Sequence, residues 1–194
     1  TAITIATNDG YFYYNRGLAR SDSGDLDGAL ADYNESLRLV PRYSRALNNR
    51  GMVYYTKGDL RRAIDDFSAV LEAAPDNTLA LYNLGRSLHR AGDHYLAISK
   101  LSQAIEQSPS FIDAYTWRGS ARQQVGQSAD AAEDYLRAGA LVGTNAWFYA
   151  DAARLLASCG QTLRALTSLS RAIELEPSNS WHCILLCNCR WRLG

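Results

Sequence analysis

An all-α fold, five consecutive helix pairs closed by a terminal helix, is what this chain of 194 residues predicts. Three observations carry that expectation. Glycines recur 34 residues apart at Gly17, Gly51, Gly85 and Gly119, and seven residues after each comes a second, at Gly24, Gly58, Gly92 and Gly126, with Gly160 continuing the series. Twelve after the first glycine stands alanine (Ala29, Ala63, Ala97, Ala131, then Ala165), and sixteen after stands a large apolar residue (Tyr33, Phe67, Leu101, Tyr135, Leu169). All four prolines, Pro41, Pro75, Pro109 and Pro177, share one further register, with Gly143 in the remaining slot. Each period holds two stretches of helical apolar spacing, so the unit is a pair of helices.

Residues 1–9 precede the first period as an N-terminal extension. In the first unit, 10–43, Gly24 stops the leading helix because only glycine enters the left-handed cap cheaply. Asp25 follows and suits the start of the second helix, where a carboxylate meets unsatisfied N–H groups. Pro41 ends that helix, since it lacks an N–H and clashes with the preceding turn. The second unit, 44–77, repeats this with Gly58, Asp59 and Pro75, and the third, 78–111, with Gly92, Asp93 and Pro109. Gly17 and Gly51 lie mid-helix, at a cost of about 1 kcal/mol relative to alanine. Close approach of two helix backbones explains them, with Tyr33, Phe67 and Tyr135 filling the space between neighbouring pairs. The fourth unit, 112–145, reads "AGALVGTN" where the others have an aliphatic residue and proline, so its second helix is expected to end loosely. The fifth, 146–179, carries Ala153 in the glycine slot. Residues 180–194 form a capping helix with Trp181, Ile184, Leu185, Leu186, Trp191 and Leu193, which is apolar for a solenoid end.

The Gly…Gly-Asp…Ala…Tyr/Phe…Pro pattern at this period resembles the tetratricopeptide repeat family over residues 10–179. The resemblance implies a right-handed α-α superhelix, a solenoid of antiparallel helix pairs that serves as a binding scaffold. It also implies that the first helix of each pair lines a concave surface. On that basis the slot two before the first glycine holds Asn15, Asn49, Asn83, Trp117 and Asp151. Three asparagines in successive units form a ladder, each offering a donor and an acceptor to the backbone of an extended peptide. Neighbouring positions at i±3 and i±4 add Tyr14, Arg45, Asn48, Tyr82, Arg86, Arg90 and Arg154. Tyrosine and tryptophan supply contact area, and Arg45, Arg86 and Arg90 favour acidic groups. One subfamily clamps a chaperone's C-terminal carboxylate with lysine, arginine and asparagine. Here those slots hold Tyr14, Leu18 and Leu79, or Asn48, Met52 and Asp113, and the clamp is not expected. The recurring Arg16, Arg50 and Arg118 read as structural, their stems packed and their heads ion-paired.

Composition narrows the function classes. Twenty basic and twenty acidic residues give no net charge, which argues against nucleic acid or a membrane surface as partner. No apolar run approaches a membrane span, and "TAITIATNDG" lacks the basic flank of an intact signal peptide. Cys159, Cys183, Cys187 and Cys189 crowd the last fifth of the chain, which reads as reduced thiols and favours a reducing, cytoplasmic compartment. No zinc-protease, phosphate-loop or nucleophile-elbow pattern occurs. The cluster His182-Cys183-x3-Cys187-x-Cys189 sits on one helix, which cannot surround a metal tetrahedrally. No metal, cofactor or catalytic residue is expected. The reading is a non-catalytic scaffold that binds an extended partner segment in its concave groove. Two alternatives stay open: self-assembly through the terminal surfaces, giving a homo-oligomer, or the regulatory part of a larger protein.

Overall fold

The computed structural model describes residues 9–191. Residues 1–8 of the N-terminal extension, the side chain of Trp191, and Leu193 lie outside the described residues, with the readings placed on them. Regular structure among the described residues is wholly helical: α1 (Gly10–Asp22), α2 (Leu26–Leu39), α3 (Ser44–Lys57), α4 (Leu60–Ala73), α5 (Thr78–Ala91), α6 (His94–Gln107), α7 (Ile112–Gln124), α8 (Ser128–Val142), α9 (Ala146–Ser158), α10 (Thr162–Leu175) and α11 (Ser180–Trp191). The chain divides into two compact units, Thr1–Asp93 and His94–Gly194.

In the first unit α1 packs on α2, α2 on α3, α3 on α4 and α4 on α5, while α1 touches α3 and α3 touches α5. The connections follow from local chemistry. Gly24 and Gly58 take φ of 87° and 83°, a region that L side chains avoid. The next residue then caps the following helix: Asp25 accepts from the Gly28 N–H at 2.9 Å and Asp59 from the Arg62 N–H at 3.1 Å. Burial is concentrated on Ala29, Tyr33 and Val53, and again on Leu47, Val70 and Ala80. Each large apolar side chain buried there contributes roughly 1.5–3 kcal/mol.

Gly51 explains the spacing of the aromatic slot. A Cβ at that position would lie 2.9 Å from Cε1 of Phe67, and one at Gly17 equally close to Tyr33. The aromatic ring therefore lies against the glycine of its own helix pair, and does not only fill space between pairs. Beside each contact is an ion pair. Arg16, Arg50 and Arg118 reach Asp32, Asp66 and Asp134 at 2.6 Å, and these carboxylates are buried. Burial pushes the Asp66 carboxyl up against the pull of Arg50. The Arg50 guanidinium is itself held above its usual value by its hydrogen bond to Asp66.

In the second unit each helix from α6 to α11 packs on the next, and α11 also touches α9. The expected loose end of α8 is corrected. This helix runs 15 residues where α2, α4, α6 and α10 run 14. It closes on Gly143, φ 78°, whose N–H donates to the Gly139 carbonyl at 2.8 Å. A left-handed cap does here what proline does elsewhere. Gly139 is also needed, because a Cβ on it would meet Cβ of Phe148 on α9 at 3.0 Å.

Candidate functional site

Side chains from α1, α3 and α5 meet on one face of the first unit. A hollow of about 310 Å³ is lined there by Tyr14, Arg45, Asn48, Asn49, Asn77 and Leu79, among others. Tyr14 forms its aromatic wall, with its ring 5.0 Å from that of Tyr43, which also packs on Tyr11 at 5.1 Å. Asn49 donates its amide to the Tyr14 hydroxyl at 3.3 Å, which keeps its carbonyl oxygen available as an acceptor. Asn15 is exposed, whereas Asn48 and Asn49 are half-buried.

The ladder does not continue evenly. Asn83 is only 3% exposed, and its amide donates to the Asn48 Oδ1 at 3.2 Å. Tyr82 is buried as well, and its hydroxyl accepts from Arg86 Nη1 at 3.4 Å. As side chains offered to an incoming segment these two are corrected. They lie beneath the face, and Asn83 orients Asn48 while Tyr82 orients Arg86. The slot two before the glycine is asparagine in all three units here, but its exposure depends on what packs around each helix.

A cationic patch lies on α5. Arg86 stacks on the Tyr55 ring at 4.1 Å from its centroid, and Arg90 stacks on the same ring at 4.4 Å. Arg90 also donates to the Tyr55 carbonyl at 3.2 Å. The Arg86 Nε is buried without a hydrogen-bond partner, and its Nη2 lies 3.5 Å from the Met52 sulfur. Among the described residues, no carboxylate comes within 4.0 Å of the nitrogens of Arg45, Arg86 or Arg90. Their charge is uncompensated locally, in contrast to the buried Arg–Asp pairs. Tyr55 is absent from the sequence reading, although it continues the Asn48–Met52 helical face by one more step of three.

The remaining candidates belong to the second unit. Trp117 on α7 is half-buried. Arg154 on α9 is ion-paired with Asp151 at 2.8 Å, so its charge is already answered. In the cysteine-rich helix Cys183 and Cys187 are exposed, as is Cys159, while Cys189 is buried. Among the described residues no three His, Cys, Asp or Glu side chains are placed to hold a metal. No helix among them is long and apolar enough to cross a membrane.

A family model described as "Tetratricopeptide repeat" matches residues 14–78 and 51–110, which together span half the chain. No curated protein matches. Solved structures do. A crystal structure of MamA protein is 23% identical with a TM-score of 0.81, covering 88% of this chain and 93% of that one. YrrB, described as a TPR protein with an unusual peptide-binding site, is 25% identical with a TM-score of 0.80, covering 97% and 95%. PilF of Pseudomonas aeruginosa is 18% identical with a TM-score of 0.72, covering 95% and 84%. The all-α class expected from the period is the class these structures share.

Proposed function

The chain belongs to the tetratricopeptide repeat family, and from that premise we propose that its first unit binds an extended, acidic segment of a partner protein. Members of this family are in general non-catalytic interaction scaffolds, and the proposal takes this chain to be one. YrrB, similar over nearly its whole length, is described as having a peptide-binding site.

The observation that carries the reading is the unpaired set Arg45, Arg86 and Arg90 beside Asn15, Asn48 and Asn49. Guanidinium groups match carboxylates with fixed two-pronged geometry. Carboxamides pair with a peptide backbone whatever its side chains are. Tyr55 holds Arg86 and Arg90 side by side before any partner arrives, which lowers the entropy lost on binding. Two like charges on one ring repel, so an arriving carboxylate relieves that repulsion as well as forming new bonds.

The test is calorimetric titration with a glutamate-rich octapeptide and its glutamine counterpart. The glutamate peptide is expected to bind at least tenfold more tightly, with affinity falling as salt rises. An Arg86→Ala/Arg90→Ala variant of unchanged helix content is expected to lose that preference. Equal affinity for the two peptides, or a preference surviving in the variant, removes the reading.

A further inference from the structure

We infer that a second, separate site lies in the second unit, a cage for the ammonium end of a lysine side chain carried by a partner polypeptide. A hollow of about 240 Å³ lies against α9 and α11, lined by Trp147, Asp151, Glu176, Asn179, Trp181 and His182, among others. Both indoles remain in large part solvent-facing, at 48% and 46% exposure. Trp147 is fixed beforehand by edge contacts to Tyr135 at 5.3 Å and Phe148 at 5.0 Å. Aromatic faces carry negative potential and attract a cation that lies over them, tryptophan most of all.

The polar lining has the same sign. Asp151 and Glu176 bring two carboxylates, and Arg154 cancels one of them through the Asp151 Oδ1. Glu176 uses Oε2 to accept from Asn179 at 3.0 Å. The other oxygen of each carboxylate has no hydrogen-bond partner among the described residues. His182 belongs to the same lining but is only 3% exposed, with its Nδ1 buried out of reach of a guest.

One free oxygen on each of two carboxylates suits a lysine ammonium, whose three N–H donors point in separate directions and leave one for water. A guanidinium instead seeks both oxygens of one carboxylate, and here each carboxylate has one oxygen already engaged. Anions are repelled by Glu176, whose charge no cation answers among the described residues, and a purely apolar guest would strip water from the carboxylates without replacing it. The inference does not depend on the arginine patch of the first unit, and either can fail without the other.

The probe is the blocked tripeptide Gly-Lys-Gly, titrated into the intact chain while the indole N–H signals are followed by two-dimensional NMR. The chain has four tryptophans, so each signal can be assigned by single substitution. The Trp147 and Trp181 signals are expected to move together and to saturate, with that of Trp117 unmoved. The norleucine peptide, equal in length and uncharged, is expected to move neither, and the arginine peptide to bind at least threefold more weakly. Trp181→Ala should weaken lysine binding at least fivefold and Glu176→Gln about threefold. Arg86→Ala/Arg90→Ala should leave the lysine response unchanged, which separates this site from the first-unit surface. An equal response to norleucine, tighter binding of arginine, no saturable shift, or full binding by Trp181→Ala overturns the assignment. Because Glu176→Gln is a conservative change at an exposed position, it tests the idea even if Trp181→Ala unfolds α11.

Discussion

Tyr33 and Tyr135, 0% and 3% exposed, are held by their surroundings in the neutral form, and burial pushes both phenols up to about 12. In an unfolded chain a tyrosine ionises near 10. The folded state therefore keeps these protons where the unfolded state loses them. Their contribution to stability is complete below about pH 10 and disappears as pH rises through about 12, on the order of 2–3 kcal/mol each. Of the twelve tyrosines, these two are expected to ionise only as helix is lost. Tyrosinate absorbance followed alongside circular dichroism checks it, and titration of all twelve before any loss of helix would contradict it. Single residues were unevenly legible. Arg50 was readable as an ion-paired structural arginine because its position repeats and its stem can pack. Asn83 was not readable as buried, because its identity matches Asn15 and Asn49 while its exposure depends on neighbours that one sequence does not place.

At the scale of elements, a helix pair is held by the contact between a glycine and the aromatic ring sixteen residues on. Gly51→Ala gains up to about 1 kcal/mol of helix propensity but drives a methyl into Phe67. Overpacking costs of about 1–3 kcal/mol are typical, so net destabilisation is expected. The double variant Gly51→Ala/Phe67→Leu should recover part of that loss, since the smaller side chain frees the space. Urea unfolding of both variants measures this, and an unchanged or raised midpoint for Gly51→Ala would show the ring to be freer than drawn. Helix number and type were legible because five registers keep one period. The ending of α8 was not. Absence of proline at 143 suggested fraying, yet glycine closes a helix by a different route, through a left-handed turn.

On the scale of the whole chain, the period identified the family, and the family implies a scaffold without naming a partner. Partner chemistry had to come from charges and rings brought together by folding. Arg86 and Arg90 were legible as basic positions, but their shared hold on Tyr55 was not. Nor was the hollow around His182, since the sequence suggested only a cysteine cluster there. Arrays of this kind have graded stability, because an end helix has neighbours on one side only. Among the described residues α11 packs on α10 and, more lightly, on α9.

The four thiols turn that gradient into something countable. Cys159 after α9 and Cys183 and Cys187 on α11 stand in solvent, while Cys189, also on α11, is 1% exposed. A colorimetric disulfide reagent should consume three equivalents at once and a fourth slowly, at a pace set by how often α11 lifts away. In denaturant too mild to melt the array, that fourth reaction should already quicken. If it waits for the bulk transition, the terminal helix is as firmly seated as the rest. The molecule thus carries its own clock for the detachment of its last turn, and any guest that binds against α11 should slow it.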